Sequence, residues 1–269
     1  MPGTSRLPQF QQGFSESTPA PIHYAELPGN GPPMMLLHGI GMDWRVWQAI
    51  SRRLHPYFHL YMPDLRGHGQ SAKPAHGYTL ADYAADIEDL IDQLNLTDVS
   101  LVGSSLGGMV AVVVEAPSDI VSSRVLVDPP LTAGPILDAE MFSQILRLKH
   151  QPAEGLAEYL ADSNPGAGRF LLSTMSEMWR QVADGVITEM LEAPQRYYDV
   201  DDALTAIDSP TLLLQADPEM GAVLSDTEAQ RALKLLPRGR LIQVRGAGHA
   251  IHAFKPAEFV AIVTEFTGM

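Results

Sequence analysis

The stretch Gly103-Ser104-Ser105-Leu106-Gly107 has the spacing G-x-S-x-G, set between an apolar run, Val99 to Val102, and a helix-compatible segment, Met109 to Glu115. A serine on so tight a strand-to-helix turn is held in a strained backbone conformation. Only glycine two residues before and after it leaves room for the crossing chain. The turn lifts the Ser105 hydroxyl above the end of a sheet and aims the Leu106 N–H, at the start of a helix, toward the same point. A raised hydroxyl beside a fixed N–H donor suits nucleophilic attack on a carbonyl. Taken alone, five residues also describe an ordinary Gly/Ser connection, so the surrounding elements must decide.

Compact apolar runs closed by turn residues predict strands at Pro21–Glu26, Met34–Leu37, Phe58–Met62, Val99–Val102, Arg124–Val127, Thr211–Gln215 and Leu241–Val244. Between them, Leu80, Tyr83, Ala84, Ile87, Leu90, Ile91 and Leu94 recur at helical spacing behind Thr79 and Asp82, a capping pair. Trp44–Leu54, the segment opened by Ser225 and Glu228, and Glu258–Phe266 read the same way. Strands alternating with helices imply a mostly parallel sheet covered on both faces. The rhythm breaks between residues 131 and 208, where Met141–Leu148, Ala153–Ala161, Phe170–Ala183 and Ile187–Leu191 are helical and no strand is convincing. This predicts a core of residues 1–130 and 209–269 with an inserted helical cap, 131–208. Residues 1–20 read as a loosely ordered lead-in.

Thirty-two acidic against 18 basic residues give a net charge of −14, which argues against nucleic acid and anionic membranes as partners. The absence of cysteine excludes a disulfide, a thiolate metal site and a cysteine nucleophile. Met1–Ala20 lacks the layout of a signal peptide, and no apolar run approaches the roughly 20 residues of a membrane span. A soluble, cytoplasmic protein with a small-molecule substrate and no membrane association is expected. The oligomeric state is left open.

In chain order the strand ends read His38-Gly39, then Pro63-Asp64-x-Arg66-Gly67-His68-Gly69-x-Ser71, then Gly103-x-Ser105-x-Gly107, then Gly246-x-Gly248-His249. Four motifs in this order resemble the α/β-hydrolase family over nearly the whole chain from about residue 30. The resemblance implies a mostly parallel eight-stranded sheet flanked by helices, with a helical cap and no cofactor or metal. It makes Ser105 the nucleophile and His249 the general base, a role that suits an imidazole because it titrates near working pH. It also makes the backbone amides of Leu106 and Ile40 the oxyanion hole. His38 and the Asp64–Ser71 segment are implied to brace the loops, and Arg66 and His68 to stay off the substrate. His252, three residues past the motif position, is expected to be peripheral.

The third member of the triad stays open. Most relatives carry an acid as G-x-x-D after the strand that is here Thr211–Gln215, but this chain has Ala216-Asp217-Pro218-Glu219. Asp128, directly after Arg124–Val127, takes first place because some family members put the acid there, and Arg124-Val-Leu-Val-Asp-Pro-Pro130 resembles the N-formylmaleamate deformylases. Asp217 and then Glu219 are the alternatives. Either placement could orient the imidazole.

The implied activity is carboxylic ester hydrolysis, or cleavage of an amide-like acyl bond, through an acyl-enzyme. C–C bond hydrolases of ring-cleavage products share the elbow but usually follow the base with tryptophan, where this chain has Ala250. Hydrolase-fold small-molecule receptors form the other alternative. Met141, Phe142, Phe170, Met175, Met178 and Trp179 are expected to line an apolar pocket.

Overall fold

The computed structural model describes residues 9–16, 20–132, 139–163, 168–194 and 200–269. Eight strands form one sheet: β1 Gln11–Phe14, β2 His23–Leu27, β3 Pro33–Leu37, β4 His59–Pro63, β5 Ser100–Ser104, β6 Ser123–Val127, β7 Thr211–Ala216 and β8 Gly239–Val244. Their spatial order is β1-β2-β4-β3-β5-β6-β7-β8. The β1–β2 and β2–β4 pairs are antiparallel, and every later pair is parallel.

Along the central strands, successive side chains enter two different cores, as the two-residue period of a strand requires. Met34, Leu36, Val125, Val127, Leu212 and Leu214 face one core with Trp47, Ile50 and Phe259. Met35, Leu37, Leu126 and Leu213 face the other with Ile87, Leu90 and Val110. Helices α1 (Gln48–Leu54) and α11 (Pro256–Thr267) cover the first face, and α2 (Leu80–Gln93) and α3 (Leu106–Val113) the second. Thr79 and Asp82 close a reciprocal capping box at the start of α2. Ser225 and Glu228 do the same for α9 (Asp226–Leu235). Such a cap is worth about 1 kcal/mol, and it fixes where each helix begins.

Regular structure described between residues 131 and 208 is helical: α4 Ala139–Leu148, α5 Ala153–Ser163, α6 Arg169–Gln181, α7 Asp184–Glu192 and α8 Asp201–Ala206. Helical spacing of apolar residues predicts the first four, but α8 is too short to show it. Where the helical segment meets the sheet, the Glu189 carboxylate accepts from the Gly77 and Tyr78 amides at 3.0 Å each, and Ala183 N–H donates to Gly67 O. Helix α10 (Ile251–Phe254) leads into α11.

Two expectations need correction. Part of the supposed lead-in is ordered, because Gln11–Phe14 pairs antiparallel with β2, Gln11 opposite Glu26 and Phe14 opposite His23. Its QQGF sequence has no apolar alternation, since backbone pairing at a sheet edge needs none. The Trp44–Leu54 helix begins with a tight 3₁₀ turn, Trp44–Trp47, before becoming α1.

Candidate active site

In the strand order, β4 lies on one side of β3 and β5 on the other. The connections leaving β3 and β5 therefore diverge, and in open α/β sheets ligands bind outside the carboxyl ends at such a point. His38-Gly39-Ile40 follows β3 there, and Ser105 follows β5. Ser105 has φ 53° and ψ −117°, the strained turn expected of the motif. Its N–H donates to Val127 O at 3.0 Å, which ties the elbow to the end of β6. Leu106 is the first residue of α3, so its N–H has no acceptor inside the helix. The loop after β3 runs alongside, since a methyl at Gly39 would sit 3.2 Å from Ser105 Cβ and 3.8 Å from its Oγ.

His38 holds that loop. Its buried ring accepts from Leu65 N–H at Nε2 (2.9 Å), so Nδ1 carries the proton and donates to Gly39 O at 2.8 Å. Burial pushes the His38 imidazole below its ordinary pKa, against the pull of the Asp64 carboxylate. Asp64 accepts from the amides of Trp44 and Gln70 and from His23. Burial alone would raise its carboxyl, but His23, His38 and the two amides together hold it below the usual range. Arg66 is clamped by both Asp86 oxygens at 2.5 Å. His68 is buried edge-on to His38, and burial pushes it down to about 3.

Asp128 directly follows β6 and is fully buried, at φ 45°. Its Oδ1 accepts from Ala216 N–H (3.0 Å) and Leu224 N–H (3.3 Å), and its Oδ2 from Val223 N–H (2.7 Å). The same Oδ2 meets His249 Nδ1 at 2.7 Å. A carboxylate only accepts, so Nδ1 carries the imidazole proton and Nε2 is left as the basic nitrogen. His249 remains about a third exposed, with side-chain accessibility of 35%. Asp217, the sequence alternative, instead caps the turn that follows β7: Oδ1 accepts from Glu219 N–H and Oδ2 from Gly246 N–H. Those amides hold its carboxyl below the usual range. Among the described residues, the carboxylate bonded to His249 is therefore that of Asp128, not Asp217 or Glu219.

A profile of the alpha/beta hydrolase family matches residues 34–262. The chain belongs to the α/β-hydrolase family. Over 252 residues it is 28% identical to the 2-(acetamidomethylene)succinate hydrolase of Mesorhizobium japonicum, a match covering 88% of each chain. An 83-residue stretch is 45% identical to an uncharacterized protein of Mycobacterium tuberculosis, covering 31% of this chain but only 24% of that one. The solved structure of the N-formylmaleamic acid deformylase from Pseudomonas putida superposes with a TM-score of 0.81 at 22% identity, over 94% of this chain and all of the other. No described helix of this α/β-hydrolase is long and apolar enough to cross a membrane.

The helical segment meets the loop that follows β3. The Trp179 indole of α6 packs onto Gly41, where a methyl would come within 2.1 Å of the ring, and Phe142 packs beside Trp179. Met178 is buried, and Met141 and Met175 partly so. Phe170 was expected in the pocket lining but is 87% exposed. Helical spacing gives a stripe of apolar residues without saying where its edge falls, and Phe170 lies beyond that edge.

His252 is buried with its ring 4.4 Å from that of Trp47, and burial, with His249 adding to it, pushes its pKa down to about 4. The unfolded chain protonates its histidines near pH 6.5, so on acidification it takes up this proton before the native state does. The stability owed to neutral His252 is thus intact above pH 6.5 and declines toward pH 4, by roughly 3 kcal/mol. In thermal melts at pH 7 and 4.5, His252→Leu should lose several degrees less than wild type between the two. Equal losses would show that this ring does not set the acid sensitivity.

Proposed function

We propose that this α/β-hydrolase cleaves a small carboxylic ester or amide-like acyl bond through an acyl-enzyme on Ser105. Ser105 Oγ bonds to the substrate carbonyl carbon while His249 Nε2 takes the hydroxyl proton. The amides of Ile40 and Leu106 receive the oxyanion. His249 then gives its proton to the leaving oxygen or nitrogen, and the carbonyl–leaving group bond breaks. A water deprotonated by His249 releases the acid and restores Ser105. Asp128 holds the imidazole in the tautomer this needs and stabilises the imidazolium.

The observations carrying this reading are the 2.7 Å Asp128–His249 bond and a strained serine whose own N–H is bonded to Val127, the residue before Asp128. The full-length relative and the structural neighbour are both named for N-acyl compounds, which supports extending the substrate class from esters to amide-like bonds. Residues 131–208 act as the cap, and Trp179 and Phe142 supply its apolar ceiling.

A fluorophosphonate probe, with the adduct mapped by peptide mass, tests the assignment. It should label Ser105 alone in the folded protein. Labelling elsewhere, or none, overturns the reading. With short-chain p-nitrophenyl esters and anilides, turnover should persist over many cycles. A single turnover with a retained adduct would instead mark a receptor.

A further inference from the structure

Two of the three amides that hold the Asp128 carboxylate, those of Val223 and Leu224, belong to a loop rather than to the sheet. Loop amides stay aimed at one carboxylate only if something fixes the loop. Gln215, in β7 and 2% exposed, makes the bonds that do so. Its Nε2 donates to Leu224 O at 3.0 Å and to Asp226 Oδ1 at 2.7 Å. Its Oε1 accepts from Gln243 Nε2 of β8 at 3.2 Å. The amide head thus grips the loop just beyond the peptides that face Asp128 and is itself held from the neighbouring strand. Only a side chain with both a donor and an acceptor at this length does all three. A glutamate would set a second carboxylate against Asp226, and a methionine would fill the space without the bonds.

We propose that Gln215 is a positioning residue for Asp128, acting through the 223–226 loop; this rests on the reading of Asp128 as the acid of the triad. Without its bonds the Val223 and Leu224 amides lose their aim. The carboxylate then turns away from His249 Nδ1, and the imidazole spends less time in the productive orientation.

The test is Gln215→Met, measured by steady-state ester turnover and by amide hydrogen exchange. The expected result is a kcat lowered about tenfold, KM within about twofold, and faster exchange across residues 217–226. In an Asp128→Asn background the same change should lower kcat no further, because its route to the chemistry is already cut. Asp226 is exposed, so its variants keep the fold. Asp226→Ala should speed exchange and lower kcat, and Asp226→Asn, which still offers an acceptor, should restore both. Should Gln215→Met not fold, this Asp226 pair decides. The proposal fails if kcat and exchange stay at wild-type values in Gln215→Met or Asp226→Ala, or if the Gln215→Met loss multiplies in full on Asp128→Asn. If Asp128→Asn alone turns over like wild type, the triad assignment falls first and takes this inference with it.

Discussion

Asp128→Asn should lower kcat by about a thousand- to ten-thousandfold, and Asp217→Asn should leave it within about threefold of wild type. The contrast follows from what each carboxylate touches. Asp128 Oδ2 receives both Val223 N–H and His249 Nδ1 at 2.7 Å. An asparagine can keep its oxygen toward Ala216 and Leu224, which leaves its NH₂ facing the Val223 and His249 donors. His249 then turns over its tautomer to accept from that NH₂, and the proton moves to Nε2, where it blocks uptake of the serine proton. KM changes little, because Asp128 is fully buried. Asp217 holds only two backbone amides at the surface, so its loss is local. Steady-state kinetics of both variants, with circular dichroism to confirm folding, check the pair. Equal losses in the two, or a loss in Asp217→Asn alone, would falsify the placement of the acid.

Gly103→Ala should abolish activity and destabilise the protein by about 4 kcal/mol or more, among the larger effects a single substitution produces. An added methyl would lie 2.0 Å from Gly107 O and 2.6 Å from Gly108 N, both main-chain atoms of the elbow. Neither atom can swing aside as a flexible side chain would, so the strand and helix must separate. Separation moves Ser105 and undoes the fit of Gly107, whose own added methyl would meet Leu37 O at 2.2 Å. A melting midpoint about 10 °C lower is expected, against an unchanged one for Gly168→Ala, where nothing lies within 4 Å. A Gly103→Ala variant with wild-type melting and turnover would show that the elbow tolerates a wider turn than its geometry implies.

The strained turn at Ser105 was legible in the sequence because the two glycines that permit it stand two residues to either side. The central strands were legible because both faces are buried, which makes them continuous apolar runs. The polar edge strand Gln11–Phe14 was not, since its partner is a backbone and its side chains are largely exposed. The acid could be narrowed to three carboxylates and no further. Which one faces His249 depends on the β6–β7 register and on the path of a loop, and neither is encoded near Asp128. Its positive φ, shared with Ser105, marks the position only once the backbone is known. Gln215 carried no signal at all: within a buried strand it looks like one polar interruption, and its partners are a carbonyl, an exposed carboxylate and a residue on another strand.

Because main-chain amides at the end of β7 and in the loop beyond it hold the Asp128 carboxylate, this stretch contributes a shape rather than a reactive side chain. Ala216-Asp217-Pro218-Glu219 can therefore lack the G-x-x-D pattern while Asp128 keeps its three amide donors. A search for a carboxylate at this turn alone would pass over a chain whose His249 is bonded from the end of the neighbouring strand.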